Sequence, residues 1–408
     1  MLISDQGTTD KRYVWTWLAG ETAPVVAGVL VADGYVGYGL RGSNTAKHAF
    51  YYGRSYLSNS AAVPLSIPDL PLKNGPLWPY RRHGLHGIFR DALSQRGTLT
   101  GEYRSQDFES PQLFDFANSY PDRIGAIDFH LSPTEYINNE QPPQKDLATL
   151  VRSARAGGMP FSTTGVGGAQ PKFLYDTDDR KLIVKLSNKN LMSQYDVRLE
   201  YFGIKLAKSC GIECSRIDLK KVDHQPTLLV ERFDREQTDN GWLRHHMVSA
   251  QTALGLHDDN LLKASYESLA ELLGKRAREP KRQLRELFRR MVFNVLIGNT
   301  DDHARNHSLF CIGEEVKLTP AYDMAPQINP TSVQSMRIAG RDPRSTLKNC
   351  LLAAESFQLA QIEAQNVITE LKERVLNHIP RIAEKANLTS HEQGLIQKLV
   401  QQRCRTGD

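Results

Sequence analysis

The sequence predicts an α+β protein with a β-rich N-terminal part, a small strand-and-helix lobe and a helical C-terminal part. Three observations predict it. Up to Phe129, short β-prone runs alternate with glycine and proline. Between Thr163 and Phe233, apolar strands surround one amphipathic helix. From about Val248 onward, helical periodicity dominates.

Tyr13–Leu18 and Val25–Val31 read as strands separated by a turn. Tyr35-Val36-Gly37-Tyr38-Gly39 and Ala49–Tyr52 add strand-like residues, and Arg123–Phe129 adds another strand. Helical signals lie at Leu85–Leu93 and Phe114–Ser119. Ser132–Lys145 is a polar, proline-containing linker, which divides the chain into residues 1–140, 145–240 and 241–408. In the second part, Gly165-Val166-Gly167-Gly168 is a turn that exposes its backbone. Lys172–Tyr175, Leu182–Leu186 and Leu228–Phe233 are strands. Asp196–Ser209 places Val197, Tyr201, Ile204 and Ala207 near one helical face, with Gly211 as its stop. In the third part, Leu284–Ile297 is the clearest helix, Gly313-Glu314 joins two strands as a hairpin, and Ser390–Gln402 is the last helix.

Among 408 residues, 40% are hydrophobic and 24% charged, ordinary for a globular protein. The net charge of +5 permits nucleic-acid contact without requiring it. The most basic stretch, Lys275–Arg290, holds eight Lys/Arg and two Glu; it reads as a solvated helix face, with phosphate-backbone binding as the other reading. Five scattered cysteines favour neither a disulfide scaffold nor a zinc set. With no apolar signal core and no run long enough to span a bilayer, the expected compartment is the cytoplasm, with no membrane partner.

The most informative stretch is Asn299-Thr300-Asp301-Asp302-His303-Ala304-Arg305-Asn306, followed by Tyr322-Asp323-Met324. It supplies a carboxylate, an amide five residues later and a second carboxylate 17 residues beyond that. Phosphoryl transfer needs such a set: one carboxylate takes or orients the proton of the attacking hydroxyl, while an amide oxygen and another carboxylate hold a divalent cation. Asp301 and Asn306 have the D-x-x-x-x-N spacing used by protein kinases, and Asp302 does not. Upstream, a glycine-rich turn precedes a strand lysine, Lys185. A helix carrying Glu200 follows, and then a strand with Glu231 and Phe233. That order is kinase-like, with Glu200 placed to hold Lys185. A P-loop and a dinucleotide fingerprint are both missing from the sequence.

The chain resembles the HipA-like serine/threonine kinases, toxins of bacterial toxin–antitoxin pairs. The resemblance rests on Gly168-Ala169-Gln170-Pro171-Lys172, Ile183-Val184-Lys185-Leu186, Val230–Arg235, Ile297–Asn306 and Leu318–Asp323, and weaker features lie at Asp122–Phe129 and Arg344–Leu347. It implies a bilobal protein-kinase-like fold with a β-rich N-terminal subdomain and an all-helical C-terminal lobe, and ATP and Mg²⁺ as cofactors. Asp301 would be the catalytic base, and Asn306 and Asp323 the metal ligands. Lys185 would contact the phosphates, beneath the backbone of Val166, Gly167, Gly168 and Ala169. Glu231 and Phe233 would meet the adenine. His303 is placed at the ATP site, ordering the loop rather than moving protons. His307 is expected to be a core or surface residue.

The family often carries an autophosphorylated Ser where this chain has Gly165, so Ser162, Thr163 or Thr164 would have to substitute. The implied partners are a protein substrate phosphorylated on Ser or Thr, an aminoacyl-tRNA synthetase for example, and a small helix-turn-helix antitoxin that would supply any contact with DNA. Two other readings stand beside this one: a catalytically idle binding module acting with a DNA-binding antitoxin, and a small-molecule phosphotransferase.

Overall fold

A computed structural model describes residues 11–33, 47–67, 69–79, 84–92, 122–138, 146–156, 170–187, 196–256 and 263–405. Strands β1 (Lys11–Trp17), β2 (Pro24–Asp33) and β3 (Lys47–Tyr52) are followed by short helices α1 (Arg54–Leu57) and α2 (Gly87–Asp91), then β4 (Ile127–His130). The strands form one antiparallel sheet in the order β3-β2-β1-β4. Phe50, Phe89 and Phe129 fill its core, with Phe89 5.4 Å from Phe50 and 5.7 Å from Phe129. The expected strand at Tyr35–Gly39 and helix at Phe114–Ser119 lie outside the described residues. Arg123–Ala126, expected as strand, is irregular, because Arg123 turns inward to Asp128 at 2.9 Å.

The second part begins with α3 (Leu147–Arg155), which the sequence reading did not foresee. Asp146 caps it, accepting from the N–H groups of Ala148 at 3.0 Å and Thr149 at 3.1 Å. Then come β5 (Lys172–Asp176), β6 (Lys181–Leu186), α4 (Val197–Ser209), β7 (Ile217–Val222) and β8 (Gln225–Glu231). The four strands form an antiparallel sheet in the order β5-β6-β8-β7. Side chains along a strand alternate between faces. Leu228 and Val230 therefore join the main core with α4, while Leu229 joins Phe173, Val184, Val151 and Ala154 under α3. Both faces are covered, which explains the unbroken apolar run in β8. That strand ends at Glu231 rather than Phe233 because Arg232 and Asp234 leave the sheet for Asp122 and Gly125.

Strands β9 (Arg235–Thr238) and β10 (Gly241–Arg244) make a hairpin. Next are β11 (Met247–Ser249), α5 (Ala250–Ala253), α6 (Tyr266–Arg276), α7 (Pro280–Ile297), β12 (Ser308–Ile312), β13 (Glu315–Leu318), α8 (Leu347–Leu352), α9 (Gln361–Lys385) and α10 (Ser390–Arg405). From β11 onward this part is helical apart from the sheet β11-β12-β13, which holds the expected hairpin and, with β10, qualifies an all-helical lobe. The basic stretch runs from the end of α6 into α7, and much of its charge is compensated nearby: Lys275 by Glu271 at 2.6 Å, Arg282 by Glu279 at 2.9 Å, Arg289 by Glu370 at 3.0 Å and Arg290 by Glu286 at 2.8 Å. Six of its eight cations are exposed, Arg289 is partly buried, and Arg290 points into the core. Among the described residues, no helix is long and apolar enough to cross a membrane.

Candidate active site

Lys185 projects from β6 and is 7% exposed; Glu200, in the first turn of α4, is 4% exposed. The Lys185 ammonium donates to Glu200 Oε1 at 2.7 Å and to Asp323 Oδ1 at 3.1 Å. A lysine 138 residues before Asp323 is thus joined to it directly. Gly203 makes this possible. A Cβ there would sit 1.9 Å from the Met324 carbonyl oxygen, so α4 and the Asp323–Met324 backbone approach closer than any side chain allows. Asp323 itself adopts φ +56°, a left-handed conformation uncommon outside glycine, and aspartate is among the residues that tolerate it.

The loop bearing Asp301 is launched by Gly298, which ends α7 at φ +70°. Its inner side is fixed by buried polar groups. Asn299 Nδ2 donates to Asn294 Oδ1 at 3.1 Å, and Asn294 Nδ2 to the Tyr266 hydroxyl at 3.3 Å. Asp302, 2% exposed, accepts from the Tyr266 hydroxyl and pairs with His307 Nε2 at 3.0 Å. Burial opposes its charge, but His307 and Tyr266 outweigh that and hold its carboxyl below the ordinary value. Asp302 is an anchor, and Asp301 beside it faces solvent. Asn306 Nδ2 reaches the Asp301 carbonyl at 3.4 Å, within the same turn.

Two side chains tie this loop to the Asp323 segment. The Tyr322 hydroxyl donates to the Arg305 carbonyl at 2.7 Å and lies 2.6 Å from the Ser308 hydroxyl. The Phe233 ring stands 5.7 Å from the Tyr322 ring and 5.9 Å from Phe310. The hairpin β12–β13 puts Asn306 and Asp323 at the same end. The structure therefore joins Lys185 directly to Glu200 and Asp323, brings Asp301 and His303 within electrostatic reach of Asp323, and sets Asn306 in the Asp301 turn and Phe233 against the neighbouring Tyr322. Glu231 is less engaged: its N–H donates to the Arg216 carbonyl at 2.8 Å, and its carboxylate pairs with Arg180 at 3.3 Å and Arg216 at 3.4 Å. Ser162, Thr163, Thr164, Val166, Gly167, Gly168 and Ala169 lie outside the described residues.

A family model described as HipA-like C-terminal domain matches residues 164–379, more than half of the chain. The chain belongs to the HipA-like family. This HipA-like chain is 26% identical over 369 residues to the Sinorhizobium fredii protein named "Putative kinase Y4mE", covering 82% of the chain and 85% of that protein. It is 26% identical over 141 residues to the serine/threonine-protein kinase toxin HipA of Shewanella oneidensis, covering 31% and 33%. Its fold matches that of a Shewanella oneidensis HipA solved with HipB and operator DNA, with a TM-score of 0.72, 19% identity and 96% of each chain covered. The α+β, two-lobed kinase-like fold expected from the sequence is the one observed.

In this HipA-like site the electrostatics follow from burial and two lysines. Burial works against ionising Asp323, but Lys185 and Lys172 bring its carboxyl down to about 2. Burial also works against charging Lys185, yet Asp323 and Glu200 push its ammonium above the ordinary lysine value. Glu200 is raised, chiefly by burial. Sequence reasoning missed Lys172 as a site residue. It lies directly across the β5–β6 register from Lys185 and is 8% exposed. The signal was present: it closes the Gly-Ala-Gln-Pro-Lys motif.

Burial and then Lys185 lower the Lys172 ammonium from 10.5 to about 8. An unfolded lysine holds its proton to about 10.4. Between those values the unfolded chain binds more protons, so the folded state gains stability as pH rises through that window. Relative to Lys172→Met, the wild type is expected to gain up to about 3 kcal/mol between pH 7.5 and pH 10.5. Urea midpoints at both pH values check this, and parallel pH curves would show that Lys172 is not held in a desolvated state.

Proposed function

We propose that this HipA-like protein is an ATP- and Mg²⁺-dependent kinase that transfers a phosphoryl group to a serine or threonine hydroxyl of a protein. The observation that carries the reading is Lys185 held between Glu200 and Asp323. A lysine so fixed presents its charge to the nucleotide phosphates in one geometry. Asp301 orients the attacking hydroxyl and receives its proton. Asn306 and Asp323 offer hard oxygen donors of the kind Mg²⁺ takes. Asn306 and Asp323 would hold the cation together with phosphate and water oxygens, as is usual for Mg²⁺ at phosphoryl-transfer sites. When bound, the cation would neutralise charge on the transferring phosphoryl group. Phe233 and Tyr322 supply an aromatic wall for the adenine.

In this reading residues 1–140 form a subdomain beside a kinase core of residues 145–240 and 241–408. The Shewanella oneidensis relative is a toxin solved with HipB and operator DNA, and this supports a small DNA-binding antitoxin as a partner here. The expected result is Mg²⁺-dependent transfer of labelled γ-phosphate to a protein in cell extract, abolished by EDTA and by Asp323→Ala. Absence of transfer together with absence of nucleotide binding would remove the reading.

A further inference from the structure

Phe233 sits in the short turn between β8 and β9, and its neighbours point the other way. Arg232 and Asp234 are 3% and 4% exposed and face residues 122–125, while the Phe233 ring faces Tyr322 and Phe310. Asp122 is the centre of the buried side. Its carboxylate meets Arg232 Nη1 at 2.6 Å and Arg235 Nη2 at 2.7 Å, with Arg244 at 3.8 Å and Lys181 at 3.9 Å. Backbone groups complete the tie. Arg232 Nη2 donates to the Arg123 carbonyl at 2.9 Å, Arg235 Nη1 to the Gly125 carbonyl at 2.8 Å, and the Gly125 N–H to Asp234 Oδ2 at 2.8 Å. Arg244 stacks over Trp17 of β1, 3.8 Å from the ring centroid. Four cations converge on this carboxylate; Asp234 also pairs with Arg232 and Arg235, and Asp176 with Lys181.

We propose that Asp122 is a positioning residue for nucleotide binding: through Arg232 and Arg235 it fixes the backbone on either side of Phe233, so that the N-terminal β-rich part sets where the adenine-facing ring stands. The proposal deepens the kinase reading and rests on its placement of Phe233 at the adenine. Burying a charge is tolerated only with close partners, and removing one partner leaves the others uncompensated. Without Asp122, Asp234 is the one carboxylate among the described residues left within salt-bridge distance of Arg232 and Arg235, and the segment between them loses its central charged anchor. A displacement of about 1 Å at a positioning element costs on the order of 10²-fold in function.

The test compares wild type, Asp122→Asn and Asp122→Glu below each protein's Tm. Affinity for a nonhydrolysable ATP analogue is measured by calorimetry, KM and kcat by phosphate transfer, and exposure of residues 230–236 by hydrogen–deuterium exchange. For Asp122→Asn, Kd and KM for nucleotide are expected to rise about tenfold or more, with kcat within about threefold and faster exchange at Arg232–Asp234. Asp122→Glu, which keeps the charge, recovers most of the affinity. Should Asp122→Asn fail to fold, Arg235→Lys replaces it; that variant keeps the charge, loses the planar fork and is expected to show the same pattern. A folded variant with lower Tm but wild-type Kd and exchange assigns Asp122 to stability alone and overturns the proposal. A wild type that binds no nucleotide overturns the kinase reading and, with it, the adenine-facing role; the exchange data then report only whether Asp122 holds the segment.

Discussion

Asp301→Asn is expected to slow phosphoryl transfer by roughly 10²–10⁴-fold, the range for losing a general base, with Tm close to that of the wild type. The two adjacent aspartates divide the work. Asp301 faces solvent in the cleft, so the isosteric amide leaves packing undisturbed. Partial loss of solvent around it raises its carboxyl above the ordinary value; His303 works against that, and Asp323 and Asp302 add to it. A base closer to the operating pH takes a proton more readily. The acid limb of kcat/KM, which needs Asp301 deprotonated, should therefore rise through a pKa above the ordinary 3.8. Asp302→Asn is the matched control: it disturbs the buried contacts to Tyr266 and His307 and should lower Tm first. Steady-state kinetics and thermal melts of the two variants check the division. Equal turnover of Asp301→Asn and wild type would take Asp301 out of the mechanism.

Lys185→Met is expected to slow transfer by on the order of 10²-fold or more and also to destabilise the fold. Glu200, 4% exposed, would lose its closest cation. Breaking a buried pair by removing one partner costs about 3–5 kcal/mol. Glu200 is already shifted toward its protonated form, so it takes up a proton and the cost should fall near the lower end, about 3 kcal/mol. Adding Glu200→Leu removes the orphaned carboxyl, and the double variant should return to within about 1 kcal/mol of wild type. Transfer stays reduced by on the order of 10²-fold or more in both, because the cation aimed at the phosphates is gone. Chemical denaturation and transfer rates across the four-member cycle separate the two effects. A double variant that recovers activity along with stability would make Lys185 a structural residue.

What was legible in the sequence was whatever local pattern dictates. The period of Asp196–Ser209, the apolar stripe of Leu284–Ile297 and the turn at Gly313-Glu314 each specify their element without help from the rest of the chain. The spacing of Asp301 and Asn306 likewise survives folding because one loop holds both. Residues acting through distant partners were not legible. Lys172 becomes a site residue only through the β5–β6 register, which no local window contains. Asp122 is one acid among many until Arg232, Arg235 and Arg244 arrive from more than a hundred residues away. The helix α3 was hidden because the linker before it is polar and its own apolar face meets only a small satellite core. Tyr266 carries no motif, and Tyr322 stands in one without its role showing there; their hydroxyls matter because helix and hairpin deliver them to Asp302 and to the loop backbone.

The notch at Gly203 gears two parts of the molecule together. With the Met324 carbonyl seated against the helix, α4 can neither roll nor slide without dragging the neighbouring Asp323. A tilt of this helix would thus be carried to the acidic residue and, through its 3.1 Å contact, to Lys185.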